Sequence, residues 1–287
     1  MSYLWSDKLI AMGISIYFFV PIRILIAGLL LLLFNLAMKE FKGIARKDLW
    51  KFCVLAMCEP LIYFLAETFG IMETGSPTIS SVIIASVPIF SVTVGVVFFK
   101  EKISHLNVLG IVSTLIGITI VVLLQNEESN PKHFAFGILL LMIAVFSEVG
   151  HASLTKILSK DYKPQVIVMY QFLIGTIYFL PIFLTKGLEN YTPVYLSWEV
   201  MEPILCLAIL CSSLAFSLWA LAIKRLGVGK SSVFLAMMCV ATAIIAEIMG
   251  REHLSMPQWI GVMISVIGIV MSQRSPKRKE KLEVVKS

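Results

Sequence analysis

What this chain of 287 residues lacks most is charge, because Asp, Glu, Lys and Arg together make up 15% of it, against about 25% in soluble globular domains. With 58% hydrophobic residues and a mean hydropathy of +0.90, that shortage excludes an ordinary soluble enzyme. Cysteine is sparse too. Cys53, Cys58, Cys206, Cys211 and Cys239 all lie inside apolar runs, with no CxxC and no histidine at metal-ligand spacing, so neither a disulfide framework nor a zinc site is indicated. There is no HExxH and no GxSxG, which leaves a membrane enzyme without its chemistry. Gly227-Val228-Gly229-Lys230-Ser231 imitates a phosphate loop, but the first glycine of that motif would stand at position 224, which is Lys. No catalytic residue, cofactor or metal ion is expected.

What is present is length in apolar stretches. Runs at about 18–38, 50–72, 77–99, 105–124, 135–157, 165–184, 202–223, 229–249 and 258–273 each approach the roughly 20 residues that cross a bilayer as a helix. The segment before them, Met1 to Gly13, contains Asp7 and Lys8 and is too short and charged to span; it reads as the end of a helix whose beginning is missing. Lys and Arg in short loops stay cytoplasmic. Lys8, Lys132, Lys186 and Arg251 fall on one side of the membrane, and all the others except the intramembrane Arg23 on the other. The net charge of +6 is then a topology signal rather than a nucleic-acid footprint. It places the C-terminus, a charged tail from Arg274, in the cytoplasm.

The chain also repeats. Shifted by 151 positions without a gap, Ser80-Ser81-Val82 falls on Ser231-Ser232-Val233, Glu101 on Glu252, Gly110 on Gly261, and Ile116-Gly117-Ile118 on Ile267-Gly268-Ile269. A shift of 148 pairs Lys8 with Lys156, so each half is a five-helix unit. An odd number of spans inverts the halves in the membrane, a recurrent plan of secondary transporters. The expected fold is an all-α polytopic membrane protein of two inverted five-helix repeats. Its divisions are 1–124 (first repeat, with a truncated first helix), 125–134 (linker), 135–273 (second repeat) and 274–287 (cytoplasmic basic tail).

These residues resemble the EamA-type permeases of the drug/metabolite transporter superfamily. The likeness is carried by Ser80 to Gly117, with Phe98-Phe99-Lys100-Glu101-Lys102, and by its echo Gly250-Arg251-Glu252 with Gly261 and Gly268. Pro21-Ile22-Arg23-Ile24-Leu25-Ile26-Ala27 is similar to the arginine-bearing start of the family's second helix, and Gly70 to Ser81 to its hairpin between helices 3 and 4. The resemblance implies ten helices and a central cavity lined mainly by helices 3, 4, 8 and 9 with 1 and 6. Ser2 to Lys8 is similar to the end of the family's first helix. Either the start codon is assigned to an internal Met, or the protein works with an open position beside its cavity.

Ionisable groups at membrane depth are costly and are functional candidates, weighed against buried structural pairs. Glu59, Tyr63 and Glu67 are spaced i, i+4, i+8, one helical stripe drifting about 40° per step. Such a stripe faces a cavity or a partner cation. Pro60 lies within it and frees backbone carbonyls. Glu148 and His151, at i and i+3 in the middle of an apolar run, can share a proton, which suits proton coupling or capture of a substrate's ammonium group. Trp219 and Ser213 offer a stacking surface and a hydroxyl, although small polar residues more often serve helix packing. Lys230 opens a helix beside Ser231 and Ser232, where free N–H groups favour anions. Arg23 can snorkel or pair locally, and Glu247 can bridge Arg251 at i, i+4.

The substrate-binding set is therefore Glu67, Tyr63, Glu59, Glu148, His151, Trp219, Ser213 and Lys230. The expected function is secondary transport by alternating access, as an exporter of small polar metabolites such as amino acids in a bacterial inner membrane, with export implied by the resemblance alone. The expected partners are a small-molecule substrate, the bilayer and, through Glu148 and His151, protons; nucleic acid is not among them. Two competitors remain. One is an antiporter of phosphorylated metabolites or nucleotide sugars, which needs more cavity cations than Lys230 and Arg23 supply. The other is a non-transporting component such as a lipid-carrier subunit or sensor.

Overall fold

A computed structural model of the chain describes residues 2–75, 77–84, 86–99, 105–124, 131–189, 191, 193–226, 228–231 and 255–272. Among these residues all regular structure is helical. Five segments are long and apolar enough to cross a membrane: Ile16–Ala37, Arg46–Thr74, His133–Leu158, Pro164–Gly187 and Trp198–Arg225. In chain order the helices are α1 (Ser2–Ala11), α2 (Ile16–Ala37), α3 (Leu49–Ala56), α4 (Tyr63–Thr74), α5 (Pro77–Ile84), α6 (Val87–Phe99) and α7 (His105–Leu123). They continue as α8 (Pro131–Leu158), α9 (Pro164–Ile182), α10 (Trp198–Cys206), α11 (Ala215–Leu226), α12 (Val228–Ser231) and α13 (Met256–Ser272).

The apolar runs become helices close to the expected limits because length and hydropathy leave little choice for backbone in lipid. The run at 77–99 is divided into α5 and α6 by a turn at Ser86. Of the run at 229–249 only the beginning is described, as α12; Glu247, Arg251 and the tail from Arg274 lie outside the described residues. Large apolar side chains stay exposed on outward faces, among them Leu33 on α2 and Ile177 on α9. Lipid tails solvate such faces as well as a protein core does.

The chain forms two compact units. The first joins Met1–Ser76 to Glu128–Ser231, and the second joins Pro77–Glu127 to Ser232–Ser287. The core of the first is built on Phe19, Ile24, Phe52, Phe172 and Phe179, all essentially inaccessible. Glycines set its closest approaches. A Cβ on Gly70 would fall 2.7 Å from Leu141 Cγ, and one on Gly137 2.7 Å from Thr74 Cγ2, so α4 and α8 meet almost backbone to backbone.

Three spans of this unit are not continuous α-helix, that of α9 ending in a wide turn over Phe183–Gly187. Between α3 and α4 the chain widens over Met57–Ile62, and Glu59 leaves the helical region altogether (φ −141°, ψ 123°). The peptide between Glu59 and Pro60 is cis. Pro60 has no N–H to continue the ladder, and the carbonyl of Cys58 accepts from Ser147 Oγ of α8 at 2.7 Å as well as from the Tyr63 N–H. The Pro60 ring lies against α9, where a Cβ on Gly175 would come 2.6 Å from Pro60 Cγ. Another wide turn, Leu207–Leu214, joins α10 to α11.

In the second unit, α7 and α13 pack through small residues. Thr114 Oγ1 donates to Gly110 O at 2.9 Å, and Ser265 Oγ donates to Gly261 O at 3.0 Å. Thr114 and Ser265 are 151 positions apart, as are Gly110 and Gly261.

Candidate functional site

The buried acidic and imidazole groups of the first unit converge at the break between α3 and α4. Glu59, turned by its extended backbone, is 3% exposed, and Glu148 and His151 on α8 are 6% and 2% exposed. His151 Nδ1 stands 2.8 Å from Glu59 Oε2 and 3.2 Å from Glu148 Oε2. The contact to Glu148 has hydrogen-bond geometry, whereas Glu59 Oε2 has ion-pair distance without a hydrogen-bond partner. One ring proton cannot point at two oxygens, so the directed bond goes to Glu148.

On the other side of the ring, His151 Nε2 is 3.2 Å from Gln171 Oε1 of α9 and 3.4 Å from Thr155 Oγ1. Gln171 is fully buried and its Nε2 has no partner. Trp219 of α11 donates from Nε1 to Glu148 Oε1 at 3.3 Å, so the carboxylate is held by indole on one oxygen and by imidazole on the other. The Phe216 ring packs edge-on to His151, 6.5 Å between centroids, and to Phe172 and Phe64.

A second polar group lies on α2 and α4. Tyr63 donates to Glu67 Oε1 at 2.8 Å. Arg23 is 7% exposed, donates from Nε to Ser212 Oγ at 2.8 Å and lies over the Phe64 ring at 4.6 Å. It interacts electrostatically with both Glu59 and Glu67. A guanidinium placed this way is partnered by a planar stack and a directed hydrogen bond, which an ammonium could not match.

One expectation is corrected by this geometry. Glu59, Tyr63 and Glu67 do not form one continuous stripe, because the non-helical backbone at Glu59 rotates its side chain to His151 while Tyr63 and Glu67 pair with each other. Of the two readings of Arg23, snorkelling and pairing, the structure has pairing, with the head group buried against Phe64 and Ser212. The Glu148–His151 contact expected from i, i+3 spacing is present. Ser213 donates to Ala208 O at 2.9 Å and reaches Ala27 O at 3.4 Å, so its hydroxyl is engaged with backbone. The side chain of Lys230 lies outside the described residues. Gln171, Thr155 and Phe216 were not singled out by the sequence; a glutamine at membrane depth within the run at 165–184 was the available signal for the first of them.

Comparison with known proteins gives these features a family. The chain matches the EamA-like transporter family over residues 1–123 and 135–273. It is 24% identical over 278 residues to the uncharacterized transporter YetK of Bacillus subtilis, covering 95% of this chain and 83% of that one. An uncharacterized transporter of Archaeoglobus fulgidus is 23% identical over 275 residues, 94% of this chain and 95% of its own. A crystal structure of a protein 16% identical in sequence superposes with a TM-score of 0.68 over 94% of each chain, a likeness of fold alone. Since the family match takes in nearly the whole length, the chain belongs to the EamA-like transporter family and is a multi-pass membrane transporter of small molecules, not an enzyme.

Proposed function

We propose that the protein is a secondary transporter that exports small polar metabolites such as amino acids, working by alternating access between two inverted five-helix repeats at 1–124 and 135–273. The observation that carries the site is the buried triad in which His151 Nδ1 stands between the carboxylates of Glu59 and Glu148 at 2.8 and 3.2 Å. Groups of this kind are expensive in an apolar span and are retained where something charged must bind. The proposed binding set is Glu59, Glu148 and His151 with Trp219, together with Tyr63 and Glu67 of the second polar group; Ser213 and Lys230 complete the set.

The broken backbone at Glu59 supports this reading, because non-helical backbone at membrane depth is tolerated where it lines a cavity or is buried in protein. The matching of Gly110, Thr114 and Gly117 in α7 with Gly261, Ser265 and Gly268 in α13, 151 positions later, supports the duplicated plan. The charge asymmetry of the loops supports a cytoplasmic C-terminus in a bacterial inner membrane.

The test is metabolite profiling of medium and cytosol from cells making wild type or Glu67→Gln at matched membrane levels. Export of a polar metabolite by wild type and not by the variant is expected. Identical profiles, together with no uptake or release of amino acids by the purified protein in liposomes, would overturn the reading.

A further inference from the structure

We propose that the Glu59–Glu148–His151 cluster binds one divalent first-row transition-metal ion, of the zinc or manganese type. The inference rests on the same site as the transport reading but not on the identity of the metabolite. One donor atom from each of the three side chains lies within 4.8 Å of the others. In a tetrahedral site with metal–donor distances of about 2.0–2.2 Å, neighbouring donors stand about 3.3–3.6 Å apart. The spacings of 2.8 and 3.2 Å from His151 Nδ1 to the two carboxylate oxygens need only a small expansion to admit an ion.

The surroundings of the cluster point the same way. Gln171 presents its amide oxygen to His151 Nε2 at 3.2 Å, and an amide oxygen only accepts. With an ion bound, Nε2 would keep the ring proton for Gln171 Oε1, and Nδ1, which faces Glu148 and Glu59, would turn its lone pair to the metal. A histidine ligand that donates its other N–H to an oxygen is the usual supporting arrangement around a bound metal. Trp219 holds Glu148 by Oε1, leaving Oε2 for the ion, and Glu59 Oε2 is buried with no hydrogen-bond partner of its own. Once Glu59 and Glu148 are deprotonated beside a neutral imidazole, their two negative charges match a divalent ion. Imidazole with carboxylates suits zinc, manganese or iron rather than the softer cuprous ion. Three protein donors leave at least one coordination position for water or a chelating group.

The experiment uses the full chain in detergent, freed of any affinity tag and stripped with a chelator, titrated with Co2+ and then Zn2+. Expected are one equivalent of Co2+ with visible ligand-field bands, displacement by Zn2+, and a loss of affinity of at least a hundredfold in Glu59→Gln and in His151→Gln. Gln171→Leu should still bind, about 10–100-fold more weakly. X-ray absorption of the zinc-loaded wild type should give a nitrogen and oxygen shell containing one imidazole, a result that stands whether or not the variants fold. No stoichiometric binding by wild type, a shell of water oxygens only, or affinity unchanged in both folded variants would overturn the proposal. Transport by a protein that binds no metal removes this inference alone; metal binding by a protein that moves no metabolite removes the transport reading alone.

Discussion

Gly117 and Ser265 meet with no room for a side chain between them: a Cβ on the glycine would fall 2.5 Å from Gly261 O and 2.6 Å from the backbone nitrogen of Ser265. The relation is reciprocal. A Cβ on Gly268 would fall 2.5 Å from the backbone nitrogen and Oγ1 of Thr114 and 2.7 Å from Gly110 O. Each member of the first set lies 151 positions before its counterpart in the second, so α7 and α13 use one small-residue contact twice.

Because the atoms in the way are backbone, they cannot swing aside. Gly117→Ala and Gly268→Ala should each destabilise the purified protein by about 1–3 kcal/mol, the usual cost of overpacking. Gly43→Ala, with nothing within 4 Å of the new Cβ, is the control and should leave the melting temperature unchanged. Thermal unfolding in detergent checks all three, and equal melting temperatures would mean that α7 and α13 do not pack as described.

His151 separates two buried carboxylates, and its removal should cost more than removal of either acid. Breaking a buried ion pair so that charge is left uncompensated costs about 3–5 kcal/mol. His151→Ala should therefore be the least stable of His151→Ala, Glu59→Gln and Glu148→Gln in denaturant unfolding. A His151→Ala protein as stable as Glu59→Gln would show that the two carboxylates do not share the imidazole Nδ1.

The sequence made some of this legible and hid the rest for physical reasons. The apolar runs were readable because a bilayer demands about 20 residues per span, and Glu148 with His151 because i, i+3 neighbours on one helix must meet. Glu59 was identified but misdirected, since extrapolating helical angles through Pro60 keeps it beside Tyr63, and only the dihedral angles at Glu59 turn it to α8. Gln171 and Ser212 acquire their importance from His151 and Arg23, which lie 20 and 189 positions away. No local spacing rule reaches such partners.

At the loop after α2, Glu40 accepts hydrogen bonds from Lys163 and Gln165, and the bond from Lys163 holds its carboxyl below the usual value of 4.5. A carboxyl with a lowered pKa in the folded state adds stability at pH above its unfolded value, and that contribution disappears as pH falls through the folded value. The melting temperature of wild type should exceed that of Glu40→Gln by a constant amount from about pH 6 upward, and the two curves should converge as the pH falls below the lowered carboxyl value. The difference should be small, because the pair is exposed and screened by salt. A gap that persists at low pH would mean that the glutamine disturbs the loop by something other than charge.

Arg23 tests whether the second polar group is built on geometry or on charge alone. Lysine keeps the positive charge but has neither the Nε that donates to Ser212 Oγ at 2.8 Å nor the plane that lies over Phe64 at 4.6 Å. Arg23→Lys should lose about 1.5–3 kcal/mol, the worth of a hydrogen bond to a charged group, and Ser212→Ala should lose less because the stack on Phe64 survives. If the two side chains act together, the double variant will be more stable than the sum of the single losses by about 1 kcal/mol or more, as coupled contacts are. Strict additivity in denaturant unfolding would place Ser212 outside the interaction and leave Arg23 held by Phe64 and by the fields of Glu59 and Glu67.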